Sequence, residues 1–383
     1  MNICFFSAQY LPTVGGVERY TYNLSKKLID KGHRVIVVTS QVENLPHFEI
    51  SKEGILIYRL PVFSLMGGRF PVIKYNKVCK DIIKKFKKEK VDFSVIQTRF
   101  YTNSIFGSFY CKKNKIPNIV IEHGTAHLIQ KGVLSMFGNI YEHIVFKIIH
   151  KNCKEIYGVS KACCKWLEHF NVKTDKVLYN AVDINELQNI ITEKSMMDLE
   201  KHIPENTKNV IVFSGRFISE KGVIPLVKAF EKIVKTNPDN ILIMCGKGIL
   251  FDEIKNLNIP NVILLGEVSY EMSMACFKRA NIFCLPTFSE GFATTVLEAA
   301  TFKNAIITTA TGGSPEIILS KEHGILLNSM QENDIYNALL YAINNPKWCV
   351  LAGENAHNEL VNNFTWDKVC EKLIDITNSE RVL

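Results

Sequence analysis

The sequence Phe-Ser-Glu-Gly-Phe-Ala-Thr-Thr-Val-Leu-Glu-Ala-Ala spans residues 288–300. An apolar run at 281–286 precedes it and predicts a buried strand, and the apolar spacing after the polar turn at 289–291 predicts a helix. A strand that leads through a glycine-bearing turn into a helix points backbone N–H groups at a ligand beyond the sheet, and a helix N-terminus favours anions. Glu290 lies in the turn, and Glu298 follows about 2.2 helical turns later, so the two are expected to face the same side.

This arrangement of Glu290 and Glu298 has two interpretations. Two carboxylates beside an anion site suggest a ligand that carries both phosphates and sugar hydroxyls. Alternatively, Glu290 only stabilises the dipole of the helix and Glu298 is a solvated residue farther along it.

Length and composition indicate an ordinary globular protein of two domains. The chain has 383 residues, of which 47% are hydrophobic and 22% charged, and it is too long for one ordinary core. No apolar run is long enough to span a bilayer, and residues 1–7 resemble a first strand more than a signal peptide. The 11 cysteines are scattered without a C-x-x-C pair, which is typical of reduced thiols in the cytoplasm.

Charge is distributed unevenly along the chain. Residues 1–183 hold 28 Lys and Arg against 14 Asp and Glu, a net charge of +14, whereas the remainder holds 18 against 24, a net charge of −6. A basic first half suggests a polyanionic partner, either nucleic acid or the anionic face of a membrane.

The N-terminal half begins with a strand at 3–7, a glycine loop at 9–16, a helix at 20–30 and a strand at 34–39. This order predicts the opening of a doubly wound α/β domain. The Gly15-Gly16 pair permits a close approach of backbone to ligand, although the G-x-G-x-x-G dinucleotide pattern is absent. The pattern further predicts a loop at 61–71, strands at 54–60, 93–97, 119–122, 155–159 and 176–179, and helices at 74–90, 133–149 and 161–170.

Several polar side chains follow the predicted strands of this half. Arg99 and Tyr101 follow the strand at 93–97, and His123 lies just past the strand at 119–122, where open α/β sheets place ligands. A structural role is the alternative for a lone histidine. His127 four residues later raises the question of zinc, but the H-E-x-x-H pattern is not met, so no metal site is predicted.

Two helices of this half have a dual interpretation. The helix at 74–90 carries lysines along one side, and the helix at 133–149 is amphipathic and rich in large apolar residues. Each is either an ordinary helix of the domain or a contact with a membrane surface.

The C-terminal half repeats the strand–loop–helix order. Residues 184–209 are polar without a sustained pattern and predict a linker. A strand at 209–214, a loop carrying Arg216 and Lys221, and a helix at 223–236 then form a phosphate-binding geometry with cations. Further strands are predicted at 241–245, 262–265, 305–309 and 324–327, and further helices at 270–280, 331–344 and 366–377. Two α/β units with ligand loops at strand carboxyl ends predict two facing domains with the ligand in the cleft.

The order and spacing of these motifs resemble family 4 of the retaining, nucleotide-sugar-dependent glycosyltransferases over almost the whole chain. The matching positions are Gly15-Gly16, His123-Gly124, Ser160, Asn180-Ala181-Val182-Asp183, Gly215-Arg216, Lys221-Gly222, Glu290 with Glu298, and Gly312-Gly313 with Glu316. The resemblance implies the GT-B fold, an α/β architecture of two facing Rossmann-like domains with parallel sheets and a deep interdomain cleft. It implies an acceptor-side domain at 1–185, a linker at 186–208, a nucleotide-sugar domain at 209–363 and a C-terminal helix at 364–383 packing back toward the first domain.

The resemblance also implies roles for individual residues. Arg216 and Lys221 would bind the donor diphosphate and stabilise the leaving group, with backbone N–H groups of Gly15, Gly16 and residues 291–294 (Gly291, Phe292, Ala293, Thr294). Glu298 would hold the ribose, Glu290 and His123 would contact the donor sugar, and Glu267 and Val268 would lie by the base. The acceptor side would include Arg99, Tyr101 and Asn180.

The same resemblance implies the chemistry. The anomeric configuration is retained by a front-face substitution without a protein nucleophile, and the donor, a UDP-sugar in the first instance, is a co-substrate and not a cofactor. No D-x-D motif occurs, so Arg216 and Lys221 would replace a metal. Ala181 and Ala293 depart from the family, where glycine is usual at the first position and glycine or proline is frequent at the second. The turn at 180–183 and the identity of the sugar are therefore open.

The acceptor and location follow from relatives with a basic, amphipathic N-terminal domain, which act on lipid-linked glycans. They imply a peripheral protein on the cytoplasmic face of the membrane that builds a bacterial surface polysaccharide such as O-antigen or capsule. One alternative is a nucleotide-sugar epimerase or hydrolase of the same fold, against which the Glu290 and Glu298 pair with Arg216 and Lys221 argues. The other alternative is a nucleic-acid-binding protein. Known modules of that class interleave basic with aromatic residues, and the basic residues of this chain are not arranged in that way.

Overall fold

The computed structural model describes residues 1–13, 15–42, 44–128 and 133–379. Of the predicted C-terminal segment 364–383, residues 380–383 therefore lie outside the described residues. The chain forms two compact units, an N-terminal unit of residues 1–180 together with the segment from Trp366 onward, and a C-terminal unit of residues 181–365.

The N-terminal unit is a seven-stranded sheet flanked by helices. The strand order is β3-β4-β2-β1-β7-β8-β9, and only β3 is antiparallel to its neighbour. The strands are β1 (Asn2–Phe6), β2 (Arg34–Ser40), β3 (Phe48–Ile50), β4 (Leu56–Leu60), β5 (Val62–Leu65), β6 (Phe70–Ile73), β7 (Phe93–Gln97), β8 (Asn118–Glu122) and β9 (Glu155–Gly158), of which β5 and β6 form a separate hairpin. The helices are α1 (Gly16–Asp30), α2 (Lys77–Phe86), α3 (Thr102–Asn114), α4 (Val133–His150) and α5 (Lys161–Leu167), with a 3₁₀ turn at Glu168–Phe170.

The C-terminal unit is a six-stranded, fully parallel sheet in the order β12-β11-β10-β13-β14-β15. Its strands are β10 (Asn209–Ser214), β11 (Asn240–Cys245), β12 (Val262–Gly266), β13 (Ile282–Leu285), β14 (Ala305–Thr309) and β15 (Ile325–Leu327). Its helices are α6 (Ile184–Asn189), α7 (Glu193–Glu200), α8 (Val223–Thr236), α9 (Phe251–Asn256), α10 (Tyr270–Arg279), α11 (Thr294–Thr301), α12 (Ser314–Ile317), α13 (Glu332–Asn344) and α14 (Pro346–Asn363).

Both sheets reverse their strand order once, as doubly wound folds do. In the C-terminal unit the reversal lies between β10 and β13, which pair in parallel through Ile211 with Ile282. In the N-terminal unit it lies between β1 and β7, paired through Phe5 with Val95. Ligands of such sheets bind outside the carboxyl ends of the strands at this point. The expectation of an α/β fold with parallel sheets in two Rossmann-like halves is confirmed.

The central strands contain continuous apolar runs because helices cover both faces of each sheet. Val35, Ile36, Val37 and Val38 of β2 are all completely buried, as are the four residues from Val210 in β10. Alternation of apolar and polar residues is therefore absent from these strands, and their continuous apolar runs were the signal that located them in the sequence.

The last helix, α15 (Trp366–Ser379), completes the N-terminal unit. It packs on α1, where the Trp366 ring meets the Tyr20 ring edge-on with centroids 5.1 Å apart. Lys27 Nζ also lies 3.0 Å from a carboxylate oxygen of Asp367. The N-terminal core is thus closed by a helix that follows the C-terminal unit in the sequence.

Three segments that were given a predicted structure differ from that prediction. The predicted loop at 61–71 is largely the hairpin β5–β6. Phe63 and Leu65 of β5 are exposed, so this strand shows no alternation of buried and exposed residues. The short strand predicted at 176–179 is a single bridge between Gly158 and Val177. The segment at 186–208, predicted without regular structure, contains most of α6 and all of α7, which bury Leu187 and Leu199.

Helices α3, α9, α12 and α14 were not predicted at all, and the two long ones among them, α3 and α14, share a feature. Helix α3 buries small residues, among them Ser104, Gly107 and Ser108, and a Cβ at Gly107 would lie 2.5 Å from the Phe6 ring. Helix α14 has Pro346 in its first turn and buries Ala352 and Ala356. Small buried residues give a weak apolar period, so close packing conceals these helices from a pattern based on large side chains.

No helix within the described ranges is both long enough and apolar enough to cross a membrane.

Candidate active site

Two loops meet at the carboxyl edge of the C-terminal sheet, one after β10 and one after β13. Gly222 joins the first loop to α8 with φ +63°, and a Cβ there would lie 2.2 Å from the carbonyl oxygen of Pro286. The Phe288 N–H donates to the Glu220 carbonyl at 2.7 Å. Glycine at 222 therefore lets the two loops lie in direct contact.

Lys221 and Glu290 are brought together by this contact. Their side chains form an ion pair and are only 14% and 18% exposed. Burial, and then the neighbouring charge of Arg216, lower the pKa of Lys221 to about 8, against the opposing effect of Glu220. Arg216 belongs to the same loop and is exposed. The two predicted diphosphate ligands thus form one cationic spot, with a carboxylate at its side.

The N-terminus of α11 lies directly after Glu290 in the same loop. The helix begins at Thr294, and Ala293 at its N-cap provides no side-chain hydrogen bond. Its first turn contains no acidic residue, and the first N–H groups of any helix are not used within it. This helix end is therefore suited to an anion.

A pair of glycines supports the loop from behind. Gly312 has φ +55°, and a Cβ there would lie 2.6 Å from the Glu290 carbonyl oxygen and 2.7 Å from that of Gly291. A Cβ at Gly313 would lie 2.4 Å from the Phe292 ring. The Gly312-Gly313 pair consequently fixes the path of the segment that carries Glu290.

Glu298 is buried and takes part in a hydrogen bond. It is 4% exposed, and its Oε1 accepts from the Tyr270 hydroxyl at 3.1 Å. The interpretation of Glu298 as a solvated surface residue is therefore wrong. The predicted count of turns is also wrong, since α11 begins at Thr294 and Glu298 lies only about one turn into it. No spacing in the sequence could have predicted the contact of Glu298 with Tyr270, which lies at the start of α10.

Glu267 and Val268 follow β12 at the same carboxyl edge of the sheet. Glu267 is well exposed, and its carboxylate lies 3.5 Å from Lys247 Nζ in the loop after β11. A ligand in this part of the edge would meet a polar, accessible segment.

In the N-terminal unit, Gly15 and Gly16 form the start of α1. Gly15 is the N-cap with extended backbone, and Gly16 is the first helical residue. A Cβ at Gly15 would lie 2.4 Å from Oε2 of Glu18, which is 5% exposed and whose pKa is raised by burial. Glycine at 15 thus leaves room for a buried carboxyl group, which the sequence did not single out.

His123 is a neutral, oriented imidazole. Burial lowers its pKa to about 3, and its Nε2 lies 2.6 Å from Gln97 Oε1 at the end of the neighbouring strand β7. The Tyr20 ring contacts it edge-on at 4.9 Å. Because the amide oxygen can only accept, the network assigns the proton to Nε2 and leaves Nδ1 as a hydrogen-bond acceptor.

Arg99 does not face an acceptor, contrary to the prediction. Its side chain is fully buried and its guanidinium donates to Glu122 at 2.6 Å and Glu142 at 2.7 Å. Burial alone would lower the pKa of Arg99, but the two carboxylates outweigh it and raise that pKa. A buried guanidinium requires such partners. Glu122 also accepts from the Gly124 N–H at 2.8 Å, so Arg99 helps to position the loop that follows His123.

The other two predicted acceptor-side residues lie at ends of elements. Tyr101 is the N-cap of α3, its hydroxyl donates to the Arg69 carbonyl at 3.3 Å, and its ring stacks on Phe70. Asn180 is 8% exposed, with its N–H 3.3 Å from the Val159 carbonyl. Contact of either residue with an acceptor stays a prediction.

Comparison with known proteins adds two family matches. Residues 14–186 match the model described as Glycosyltransferase Family 4, and residues 197–359 match Glycosyl transferases group 1. An uncharacterised glycosyltransferase of Methanocaldococcus jannaschii is 26% identical over 96% of this chain and 96% of its own length. The phosphatidylinositol N-acetylglucosaminyltransferase GPI3 subunit of Saccharomyces cerevisiae is 24% identical over 98% of this chain and 82% of its own. HepE of Anabaena, solved in complex with UDP, superposes with a TM-score of 0.77 at 15% identity over 99% of this chain and 100% of its own.

The sheet order, the loop geometry and these matches together define a glycosyltransferase of the GT-B fold. The chain belongs to the group 1, family 4 type of these enzymes.

Proposed function

We propose that this enzyme transfers a sugar from a UDP-sugar to a lipid-linked glycan acceptor, with retention of the anomeric configuration and without a metal in the transfer step. The observation that carries the proposal is the cationic spot of Arg216 and Lys221 beside Glu290 at the start of α11. HepE has been solved with UDP and with UDP-glucose, and this supports a UDP-linked donor.

The donor diphosphate is placed on the C-terminal unit. Arg216 and Lys221 neutralise its charge, and the N–H groups at the start of α11 add hydrogen bonds. As the diphosphate takes over Lys221, the carboxylate of Glu290 is released to accept from sugar hydroxyls. Glu298, oriented by Tyr270, accepts from the ribose hydroxyls, and the base lies toward Glu267 and Val268.

The reaction breaks the bond between the anomeric carbon and the diphosphate oxygen and forms one between that carbon and an acceptor oxygen. The developing charge on the diphosphate is stabilised by Arg216 and Lys221. The departing diphosphate takes the acceptor proton, so the enzyme needs no general base. For His123, neutral and held by Gln97, we propose that Nδ1 accepts a hydrogen bond from a sugar hydroxyl.

The acceptor is proposed to be lipid-linked because the N-terminal unit has an exposed apolar surface. Helix α4 exposes Met136, Phe137, Ile140 and Ile144 by 51% to 61%, and the hairpin β5–β6 exposes Phe63, Leu65 and Met66 by 50% to 54%. The two elements are adjacent, since the Phe70 and Tyr141 rings meet edge-on at 5.7 Å. This surface is called the apolar face below.

A membrane is the proposed occupant of the apolar face because the surrounding sequence is basic. Residues 1–183 carry a net charge of +14, which complements anionic lipids. The name of the yeast relative specifies a phosphatidylinositol acceptor, in line with a lipid substrate. We place the enzyme at the cytoplasmic surface of a membrane, in the synthesis of a surface polysaccharide.

A cavity of about 280 Å³ offers a place for the glycan part of the acceptor. It lies at the carboxyl ends of β1 and β2, beside the hairpin. Its lining is mixed in polarity and includes Gln9, Tyr10, Thr13, Ser40, Gln41 and Ser64.

The donor is tested by a saturation-transfer and thermal-shift screen against UDP-, ADP- and GDP-sugars. We expect UDP-sugars to bind and stabilise the protein, and binding only of another nucleotide would overturn the choice of base. Release of UDP is then compared with and without a lipid extract. Release that depends on the extract supports a transferase, whereas equal release without it identifies a hydrolase, and isomerised donor without release identifies an epimerase.

Retention and metal independence are tested on the same reaction. The anomeric coupling constant of the product, measured by NMR, should match that of the donor, and an inverted linkage would contradict the front-face mechanism. Omission of Mg²⁺ and Mn²⁺ from the buffer should leave the rate unchanged.

A further inference from the structure

Three histidines other than His123 converge in the N-terminal unit. They are His127 in the loop after β8, His143 on α4 and His169 in the 3₁₀ turn after α5, and they are called the histidine cluster below. The Nε2 atoms of His127 and His169 are 3.0 Å apart, and those of His143 and His169 are 3.3 Å apart. Three ring nitrogens from three separate elements therefore point at one volume.

These distances match the ligand spacing of a tetrahedral zinc ion. Zinc binds imidazole nitrogen at about 2.0–2.1 Å, so two nitrogens of a tetrahedral site lie about 3.4 Å apart. The two measured separations are within a few tenths of an ångström of that value. All three ligand nitrogens lie within 4.8 Å of one another, so rotation of the two exposed rings, His143 and His169, would complete the geometry.

The three Nε2 atoms cannot all be paired with one another by full hydrogen bonds. Nδ1 of His127 lies 3.2 Å from Oε2 of Glu142, so its proton is on Nδ1 and its Nε2 carries a lone pair. A single proton on Nε2 of His169 can be donated fully to His127 or to His143, but not to both. A metal ion resolves this arrangement because it accepts all three lone pairs at once.

Glu142 supplies the support that metal-bound histidines usually have. A ligating histidine typically donates its other N–H to a carboxylate, which fixes the tautomer and the ring orientation. Glu142 also pairs with Arg99, which pairs in turn with Glu122. These three groups together carry one negative charge, so their net field favours a cation at the histidine cluster.

The rings are also held by packing. His169 stacks on Trp166 with centroids 5.0 Å apart and planes 16° apart, and His143 lies 4.5 Å from the Phe170 ring. His127 is 14% exposed, whereas His143 and His169 are exposed. The site is therefore pre-arranged on one side and open to ions from solvent on the other.

We propose that the histidine cluster binds a divalent transition metal ion, with zinc the best match, through the Nε2 atoms of His127, His143 and His169 and with water at the fourth position. By binding one histidine from each element, the ion cross-links the loop that follows His123 with α4 and with the 3₁₀ turn. It takes no part in the sugar transfer, so the site does not rest on the proposed function.

The proposal is tested by titrating metal-free full-length protein with Zn²⁺ in a calorimeter and by recording the absorption of the Co²⁺ form. We expect about one ion per chain and the intense visible bands of tetrahedral cobalt. The variants His143→Ala and His169→Ala should each bind at least about 10-fold more weakly, and the double variant should not bind measurably.

The matched control is His150→Ala, because His150 is an exposed histidine on the same helix that lies outside the cluster. It should bind Zn²⁺ as the unmodified protein does. Equal loss of binding in this control, unchanged binding in the double variant or no saturable binding at all would overturn the proposal. So would a thiolate-to-cobalt absorption band, since it would place the ion on cysteine. All variants are compared by circular dichroism so that misfolding is recognised.

Discussion

At the scale of single residues, the proposed donor site depends on Arg216 and Lys221 to neutralise the diphosphate. The two cations are not interchangeable, because Arg216 is exposed and Lys221 is mostly buried against Glu290. Electrostatic stabilisation of a leaving group depends on donors fixed before the reaction begins. The ion pair with Glu290 holds Lys221 in the position that the proposed diphosphate contact requires.

Replacing either cation should slow the transfer. We expect Arg216→Ala or Lys221→Ala to lower turnover by about 100-fold or more, as removal of one charge-stabilising donor does. The measurement is UDP release at saturating donor and acceptor. Lys235→Ala is the control, since its side chain is exposed and pairs with Glu231 on the surface of α8. Turnover near normal in both site variants would show that the diphosphate binds elsewhere.

The pH dependence should show the titration of Lys221. Its pKa is lowered to about 8, so the amine is charged below that pH and becomes neutral above it. We therefore expect kcat/KM, which follows the free enzyme, to fall as the pH rises through about 8. His123 stays neutral throughout this range because its pKa is about 3, so it should cause no further change of kcat/KM with pH.

The variant Lys221→Arg provides the control for the pH profile. An arginine stays charged at every accessible pH, so the alkaline fall should disappear even if the overall rate is lower. Persistence of the same fall in this variant would assign the titration to another group.

Substitution of Gly312 tests whether its contact with the backbone of Glu290 and Gly291 affects donor binding. Alanine at this position has an unfavourable φ, which costs about 1–2 kcal/mol, and its Cβ would press on the backbone of Glu290 and Gly291. Gly32 has φ +81° with no atom near its missing Cβ, so Gly32→Ala carries the conformational cost alone. We expect weaker UDP-sugar binding by calorimetry only in Gly312→Ala, and equal affinities would dismiss the loop contact.

At the scale of elements, the sequence was informative where large apolar residues recur and uninformative where small ones do. Strand β14 was predicted at its observed bounds, since all five of its residues are buried. Helix α14 was missed because Ala352 and Ala356 form much of its buried side. The candidate site likewise has parts that the sequence predicts and parts that it does not. Lys221 and Glu290 were predicted from motifs, whereas their contact depends on how Gly222 packs against Pro286, which no local pattern encodes.

Helix α4 and the basic helix α2 carry the prediction of membrane binding. Changing Phe137, Ile140 and Ile144 to Ser should weaken sedimentation with anionic liposomes, because the apolar area that enters the interface is lost. Neutralising Lys84, Lys85, Lys87 and Lys88 should weaken it as well, and more so at low salt.

Two exposed residues of the C-terminal unit serve as controls for liposome binding. Met197 and Ile249 are 67% and 86% exposed, so their change to Ser removes surface apolar groups outside the apolar face. Sedimentation should be unaffected. If these controls lose as much binding as the α4 variant, general hydrophobicity and not the apolar face accounts for the association.

At the scale of the whole molecule, the N-terminal unit is built from two distant parts of the chain. Trp366 is 3% exposed and packs on Tyr20, so the fold of this unit depends on a residue that follows the entire C-terminal unit. Stability of the two units should therefore respond differently to changes in α15.

We expect Trp366→Ala to destabilise the N-terminal unit by about 3–5 kcal/mol, the usual cost of truncating a buried aromatic residue. Asp367→Asn removes only a partly exposed ion pair and should cost less than about 1 kcal/mol. Hydrogen exchange read out by mass spectrometry would locate the effect. Loss of protection in β1 and β2 with β10 and β11 unchanged is the expected result, and loss confined to the C-terminal unit would contradict it.

The return of α15 to α1 also sets an order of events during synthesis on the ribosome. Some 336 residues separate Asp30 from Trp366 in the printed sequence, and at about 5–20 residues per second roughly 20–70 s pass between their emergence. The C-terminal unit can fold within this interval, while the face of α1 that receives Trp366 stays uncovered. A nascent chain therefore exposes this face of α1 to chaperones until α15 has emerged.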